Sequence, residues 1–198
     1  MRAWLPQPIK QQFTGLASIY HHQMNIDVIS PNELMWQNKP YLCVLGQGGI
    51  KFNKREGDGA SPIGHWPLVS VFYRPDRISR PNTGLPVRAL RPSDGWCDDP
   101  SHASYNQHIQ RPFPASYEPL WRNDDVYNLI VILDYNNYPV VPGLGSAIFI
   151  HLARPDYAPT QGCVALKLED LSAILIECGS ETGLVIHPIP QTAALPQK

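Results

Sequence analysis

The sequence lacks the features that mark several common classes of protein. No apolar run reaches the roughly 18 residues of a membrane-spanning helix, and neither the Cys-x-x-Cys pairs nor the His-x-x-x-His helix pattern of zinc sites occurs. The 16 basic and 17 acidic residues give a formal net charge of -1, whereas nucleic-acid-binding domains usually carry a strongly basic surface. We therefore expect no membrane span, no metal or other cofactor, and no nucleic-acid partner.

Cysteine is also scarce, with only four residues in the chain, Cys43, Cys97, Cys163 and Cys178. Cys43 lies in an apolar run and Cys178 ends another, which is typical of small buried side chains. If one of the four thiols acts as a nucleophile, an odd number remains for pairing. We therefore predict that the protein has no structural disulfide.

Charged residues make up only 17% of the chain, while proline and glycine are abundant, at 21 and 14 residues. This composition favours many turns and short strands over long helices, so the predicted class is mainly β, a sandwich or barrel with a few short helices. The length of 198 residues suits one well-buried domain. We place this domain at 23–190, between an N-terminal extension (1–22), which is either a short helix or poorly ordered, and a tail (191–198).

Hydrophobic periodicity indicates where the secondary structure lies. Apolar runs bounded by turn residues predict strands, and apolar residues at helical spacing before Gly179 predict one helix. A glycine-rich loop is expected at 51–64, and residues 75–122, which show no period, are expected to form one wall of a substrate cleft. The predicted strands are 25–29, 41–45, 65–73, 127–135, 147–152 and 182–187, and the predicted helix is 168–177.

The most informative stretch begins with the strand at 147–152. His151 lies at the end of this apolar run, and Cys163 follows after a proline-containing loop that turns the chain back. A histidine within reach of a thiol accepts its proton and holds the thiolate in an ion pair. Gly162 permits close approach of the backbone, so the amides of Gly162 and Cys163 are candidate oxyanion donors. The pattern indicates covalent acyl transfer, with a structural histidine beside a buried cysteine as the alternative.

Two sequence blocks resemble the L,D-transpeptidases of bacterial cell walls, a family also called YkuD-like. Phe-Ile-His at 149–151 with Thr-Gln-Gly-Cys-Val at 160–164 is similar to the family's pattern of a histidine, a loop and Ser/Thr-x-Gly-Cys. Lys-Arg-Glu-Gly-Asp-Gly-Ala-Ser-Pro-Ile-Gly at 54–64 is similar to its upstream Lys-x-Glu-Gly-Asp-Gly-x-Thr/Ser-Pro-x-Gly segment. Together with the glycine turn at 46–49, the resemblance covers most of the chain.

The chain departs from the family pattern in two places. Better-known members carry an arginine two positions after the cysteine, where this chain has Ala165. Their loop between the histidine and the cysteine is usually a few residues longer. These differences resemble a divergent branch of the family and leave the fine substrate preference open.

The resemblance implies an L,D-transpeptidase-like β fold that acts on peptidoglycan stem peptides as a monomer. Cys163 would attack the third stem residue, a diamino acid, and release D-alanine as a thioester forms, while His151, oriented by a backbone carbonyl, would move the protons. Carbapenems are the expected inhibitors. The implied role is in cell-wall biogenesis and cell shape, in the periplasm or cell envelope, although this chain shows no secretory signal.

Six side chains are candidates for substrate binding. Arg74 belongs to a basic cluster and is the preferred partner for a substrate carboxylate. Tyr105 and Asn106 would bond peptide groups, and Trp96 would provide a face for sugar or stem peptide. A purely structural role is the alternative for each. The full set is Arg74, Trp96, Asp98, Tyr105, Asn106 and Thr160.

Three other functions are weighed against transpeptidation. Water in place of the acceptor amine would make the protein an L,D-carboxypeptidase. Loss of the arginine after the cysteine fits a degenerate wall-binding module that keeps the fold without the chemistry. A papain-like hydrolase is disfavoured, because such enzymes place the cysteine before the histidine, the reverse of the order here.

Overall fold

The computed structural model describes residues 24–188, which are mainly β, with 38% strand and 5% helix. This content confirms the fold class predicted from composition. The predicted extension at 1–22 and the predicted tail at 191–198 lie outside the described residues. The domain limits therefore stay a prediction.

The described part of the chain contains fourteen strands and one helix. All six predicted strands and the predicted helix are present; the largest displacement of an end is three residues, from 45 to Leu42. The elements are β1 (Met24–Ser30), β2 (Glu33–Trp36), β3 (Lys39–Leu42), β4 (Ile50–Lys51), β5 (Ser61–Pro62), β6 (Gly64–Tyr73), β7 (Val87–Ala89), β8 (Asp94–Cys97), β9 (His108–Gln110), β10 (Tyr117–Pro119), β11 (Leu129–Leu133), β12 (Phe149–Leu152), β13 (Val164–Leu166), α1 (Leu168–Leu175) and β14 (Thr182–Ile186).

Nine strands form one large sheet in the order β13-β12-β11-β6-β14-β1-β2-β3, with β7 alongside β6. Strand β12, which carries His151, pairs antiparallel with β11. On its other side it pairs parallel with β13, the strand that directly follows Cys163. The prediction that the strand at 127–135 neighbours the histidine strand is confirmed.

The chain after β3 closes this sheet onto its opposite edge. Val44 and Ala165 exchange both of their backbone hydrogen bonds, each 2.8 Å long, and Gly46 forms a bridge with Thr160. Because β3 and β13 are opposite edges, these contacts make the sheet nearly closed and barrel-like. The strand that follows Cys163 is therefore paired on both sides, which removes an exposed edge.

Strand β11 separates two hydrophobic cores. All five of its residues are buried. Successive strand side chains point to opposite faces, so the odd-numbered residues enter the larger core and the even-numbered ones the smaller. Helix α1 packs its buried leucines and isoleucine into the larger core, where each stabilises the fold by about 1.5–3 kcal/mol. Cys163 belongs to the smaller core, so the helix covers the sheet behind the nucleophile, as predicted.

Residues 75–122 contain more regular structure than their sequence indicates. Strands β10, β8 and β9 form a small antiparallel sheet, and β7 joins the main one. Asp94 of β8 is fully buried and hydrogen-bonds with the side chains of Arg88, His108 and Gln110. Strands of three or four residues are too short to show a period, which explains why this small sheet was not predicted.

The loop between β4 and β5, which pair with each other, is held by a buried ion pair. Lys54 Nζ lies 2.7 Å from Asp58 Oδ1, and the amides of Arg55 and Ala60 donate to the same carboxylate at 3.0 and 2.9 Å. Burial acts to raise the pKa of Asp58, but the hydrogen bonds from Lys54 and the two amides outweigh it and hold the pKa at about 2. The carboxylate therefore stays charged except in strong acid.

Replacing Lys54 by methionine should lower the free energy of unfolding by about 1–2 kcal/mol, because the partly buried carboxylate of Asp58 loses a charge-assisted hydrogen bond. Lys51→Met is the matched control. Lys51 Nζ lies 3.7 Å from Asp58 Oδ2 on a side chain that is 45% exposed, so its loss should change stability by less than about 1 kcal/mol. Chemical denaturation of both variants measures the difference, and equal midpoints would contradict the assignment.

Candidate active site

Cys163 ends the loop that leads into β13, and its thiol is held at two points. The residue is only 6% exposed. The thiol donates a hydrogen bond to the carbonyl oxygen of Ala147, 3.1 Å from Sγ, and accepts one from the N–H of Phe149 at 3.3 Å. Both partners are backbone groups at the entrance to β12. The position of the sulfur therefore depends on the backbone geometry of that segment.

His151 lies within β12, and its ring orientation is fixed by the backbone. Its Nδ1 is 2.9 Å from the carbonyl oxygen of Leu152. Because a carbonyl only accepts, Nδ1 carries the proton of the neutral ring and Nε2 is left as an acceptor. The ring of Tyr127 packs edge-to-face against the imidazole, with centroids 5.4 Å apart. A backbone carbonyl is also the orienting group that the family resemblance implies.

The two predicted catalytic side chains meet at one cleft. Cys163 and His151 both line a cavity of about 290 Å³. In the parallel register of β12 and β13, His151 lies opposite Ala165, two residues after the cysteine. Strand pairing thus brings together groups that the intervening loop separates in sequence.

Burial keeps the thiol of Cys163 and the imidazole of His151 neutral. Burial lowers the pKa of His151 to about 4, although the Leu152 carbonyl opposes the shift. Burial also raises the pKa of the Cys163 thiol to about 12, although the Phe149 N–H acts in the other direction. These pKa shifts favour a neutral thiol and a neutral imidazole in the resting state over the predicted thiolate–imidazolium ion pair. If Cys163 reacts as predicted, its proton would pass to His151 during the reaction rather than before it.

Gly162 is required by shape as well as by backbone conformation. Its φ is +133°, and a Cβ at this position would lie 2.7 Å from the carbonyl oxygen of Ala60. Its N–H donates to Thr160 Oγ1 at 3.1 Å, and that hydroxyl donates to the carbonyl oxygen of Cys163 at 2.7 Å. Thr160, predicted to bind substrate, lines the cleft, and its hydroxyl stabilises this turn. Since the Gly162 amide is engaged, the Cys163 amide remains the candidate oxyanion donor.

Buried side chains hydrogen-bond with the segment 145–147. The carbonyl oxygen of Ala147, the last residue of this segment, accepts the hydrogen bond from the Cys163 thiol. Tyr105 donates its hydroxyl proton to Glu56 and accepts the N–H of Gly145 at 3.1 Å. Ser146 Oγ donates to the same carboxylate at 2.7 Å. Tyr105 is 2% exposed, so its hydroxyl supports the backbone next to the nucleophile and does not face the cleft as predicted.

Asn106 and Trp96 also lie behind this segment. Asn106 Oδ1 accepts the N–H of Ala147 at 3.0 Å and the indole N–H of Trp96 at 2.8 Å. The Trp96 ring packs edge-to-face on Phe149, with centroids 5.0 Å apart. Asn106 is 5% exposed, and neither residue lines the cleft that holds Cys163. Both are supporting residues rather than the substrate contacts that the sequence predicted.

The arrangement of Cys163, His151 and Gly162 lies within a known type of domain. The family model that describes the L,D-transpeptidase catalytic domain, YkuD, matches residues 20–186. The chain belongs to this family. The match covers both motif blocks and confirms the resemblance predicted from them, and it supports a peptidoglycan-related function. No curated protein and no solved structure matches the chain significantly.

Arg74 does not reach the cleft of this L,D-transpeptidase domain. Its guanidinium donates to both carboxylate oxygens of Asp76, at 2.8 and 2.7 Å, and to the carbonyl oxygen of Arg122 at 2.5 Å. It also stacks on Trp121, 3.7 Å from the ring centroid. Arg74 is 4% exposed, so it links the end of β6 to the turn after β10. The prediction that it binds a substrate carboxylate is not supported.

Four residues line the cleft but do not stand out in the sequence: Glu118, Arg122, Tyr127 and Arg154. Arg122 donates to Glu118 at 2.9 Å, and burial raises the pKa of Glu118 against the opposing effect of Arg122. No motif contains any of the four, and only the predicted cleft wall at 75–122 could have indicated two of them. Asp98, which the sequence predicted to bind substrate, lines the cleft with them.

Metal ligands and membrane helices are absent from the described part of the chain. Within residues 24–188, no three His, Cys, Asp or Glu side chains are grouped so that they could hold a metal ion. The four cysteines are free thiols. Helix α1, with eight residues, is the one helix in this range and is too short to cross a membrane.

The rate of Cys163 acylation by a carbapenem should stay at its neutral-pH value well into the acid range. It should fall only as the pH approaches about 4. The lowered pKa keeps His151 neutral, and able to accept a proton, where an ordinary histidine with a pKa of about 6.5 is already protonated. Mass spectrometry of samples quenched across a pH series measures the rate. An acid limb centred at the ordinary value would contradict this. So would thiolate absorbance at neutral pH that disappears in Cys163→Ala.

Proposed function

We propose that this protein is an L,D-transpeptidase that transfers acyl groups between peptidoglycan stem peptides through a thioester on Cys163. The observation that carries the proposal is the meeting of Cys163 and His151 at one cleft in a chain of this family. The site of action is the periplasm or cell envelope, and the biological role is in cell-wall biogenesis and cell shape.

The first half-reaction forms the thioester. Cys163 Sγ bonds to the carbonyl carbon of the third stem residue while its proton passes to His151 Nε2. The carbonyl oxygen becomes an oxyanion, which the N–H of Cys163 stabilises. The bond to the nitrogen of D-alanine then breaks, and His151 returns the proton to the leaving amine. Because both groups begin neutral, Cys163 and His151 carry no separated charges before the substrate arrives.

The second half-reaction releases the acyl group. An acceptor amine attacks the thioester carbon, and His151 takes a proton from the amine. The bond from carbon to sulfur breaks, and the departing thiolate recovers this proton, so the neutral resting pair is restored. Water in place of the amine would use the same residues and the same thioester, and would make the protein an L,D-carboxypeptidase.

Arg154 is the cleft residue best placed to bind a substrate carboxylate. It is exposed in the cleft wall, whereas Lys54 and Arg122 form ion pairs with carboxylates of the protein. Asp98 lines the same cleft and has a buried oxygen without a hydrogen-bond partner among residues 24–188. The side chain of a diamino acid can end in a carboxylate and an ammonium group, and Arg154 and Asp98 offer the complementary charges.

Arg154→Gln should raise the KM for a stem tetrapeptide whose diamino acid has a free side-chain carboxylate by about tenfold, since a charge-assisted contact is lost. The KM for the amidated tetrapeptide should not change. Arg91→Gln is the control, because Arg91 is exposed and does not line the cleft. Steady-state release of D-alanine measures all three enzymes. An equal rise in KM for both substrates would contradict a contact between Arg154 and the carboxylate.

A degenerate wall-binding module is the second candidate. Ala165 lines the cleft at the position where better-known family members carry an arginine. The resting thiol is buried and neutral, which also favours this candidate. A module of this kind would bind stem peptides without releasing D-alanine.

Intact-protein mass spectrometry after incubation with disaccharide-tetrapeptide decides between these functions. We expect an acyl adduct on the wild type, absent from Cys163→Ala, together with free D-alanine. Cross-linked product would identify a transpeptidase, and tripeptide alone would identify a carboxypeptidase. Absence of an adduct with both the peptide and a carbapenem, with peptide binding retained, would leave the wall-binding module.

A further inference from the structure

The side chain of Asn106 makes every hydrogen bond that a primary amide can make. Its Oδ1 accepts from Trp96 Nε1 at 2.8 Å and from the N–H of Ala147 at 3.0 Å. Its Nδ2 donates to the carbonyl oxygens of Tyr135 and Asn136, both at 2.9 Å. Two donors face the oxygen and two acceptors face the nitrogen, so the amide has one permitted orientation. Asn106 is therefore a fixed point behind the catalytic cleft.

Ala147 connects this fixed point to the nucleophile. Its φ is +52°, a left-handed conformation that raises the energy of a non-glycine residue by roughly 1–2 kcal/mol and persists only when surrounding contacts enforce it. The N–H of Ala147 is held by Asn106, and its carbonyl oxygen accepts the thiol of Cys163. One residue thus links the amide to the sulfur.

The second contact of the thiol is supported from the same place. Phe149, whose N–H donates to Cys163 Sγ, packs its ring against Trp96. Trp96 in turn donates its indole N–H to Asn106. Both backbone groups that hydrogen-bond with the sulfur therefore belong to residues that contact Asn106 or Trp96.

We propose that Asn106 is a positioning residue, which acts through Ala147 to direct the carbonyl that holds the Cys163 thiol. This inference rests on the proposed acyl transfer at Cys163. If the carbonyl moves, the thiol proton loses its acceptor and the sulfur gains other rotamers. A misplacement of about 1 Å at a reacting atom can slow a reaction roughly hundredfold. Asn106 itself makes no contact with substrate.

Asn106→Gly removes the side chain without straining the backbone, because glycine adopts the φ of +55° at this position without strain. We expect the maximal rate of Cys163 acylation by stem tetrapeptide to fall roughly tenfold to hundredfold, with KM unchanged. Loss of a substrate contact would instead raise KM. A raised KM with an unchanged maximal rate would overturn the proposal.

Asn128→Ala is the matched control for general destabilisation. Asn128 is buried, with 7% exposed, and its side chain hydrogen-bonds with Asp125 and Arg77, away from the segment 145–147. At temperatures where both variants are equally folded, Asn128→Ala should retain the wild-type rate. An equal loss of rate in both variants would show that Asn106 acts on stability alone.

Trp96→Phe provides a milder variant that decides the question if Asn106→Gly does not fold. It removes the indole N–H that donates to Asn106 and keeps an aromatic ring against Phe149. Its maximal rate should fall below that of the wild type, in the same direction as expected for Asn106→Gly, with KM unchanged. A wild-type rate in Trp96→Phe would count against the proposal.

Alkylation of Cys163 by iodoacetamide across a pH series gives a readout that needs no peptidoglycan substrate. The Ala147 carbonyl binds the protonated thiol, so releasing this carbonyl should move the alkylation midpoint to lower pH in Asn106→Gly. The titratable groups that act on this thiol or line its cleft beside it, Glu118, Lys54, Tyr127 and His151, are the same in every variant. A midpoint equal to that of the wild type, or an equal shift in Asn128→Ala, would overturn the proposal. If no peptide acylates the wild type, the proposed function fails while this readout still tests the positioning role.

Discussion

Backbone hydrogen bonds between the segments 44–47 and 160–165 hold the turn that carries Cys163. Thr160 donates its N–H to the carbonyl of Leu45 and accepts the N–H of Gln47, at 3.0 and 2.9 Å. These contacts close the large sheet and also clamp the turn that presents Cys163. The approach is so close that a Cβ at Gly46 would lie 2.9 Å from the Cα of Gly162. Closure of the sheet and placement of the turn that carries Cys163 thus depend on the same set of contacts.

The clamp places the reacting groups where little water reaches them, and this sets their chemistry. Because burial disfavours charge, the thiol and the imidazole of His151 rest as neutral groups joined to backbone partners. The charged side chains around the cleft are largely paired with one another, as in Lys54 with Asp58 and Arg122 with Asp124. Glu118 and Lys54 act on the Cys163 thiol in opposite directions, since Glu118 raises its pKa and Lys54 lowers it. In the proposed acyl transfer, the thiol would lose its proton only when a substrate arrives and develops negative charge on its carbonyl oxygen.

The sequence was sufficient to predict the parts of the molecule that depend on local patterns. Strand β11 is an uninterrupted apolar run, and the helix α1 has clear spacing and a glycine after its end. Cys163 and His151 were found from their chemistry and their motif. Short strands such as β8 left no pattern to detect.

The roles of polar residues were harder to predict, because they depend on contacts between distant segments. Tyr105 meets Glu56, 49 positions earlier in the chain, and Asn106 bonds the carbonyl of Tyr135. No local pattern distinguishes a tyrosine that faces the cleft from one that supports its wall. Arg74 was misassigned for the same reason, since its partners include the carbonyl of Arg122, 48 positions away.

The seclusion of the resting thiol also bears on its chemical lifetime. Thiolates react with peroxides and disulfides far more readily than protonated thiols do. A sulfur that is protonated at neutral pH and almost wholly covered presents a poor target. The burial that keeps this thiol protonated therefore also protects Cys163 against oxidation.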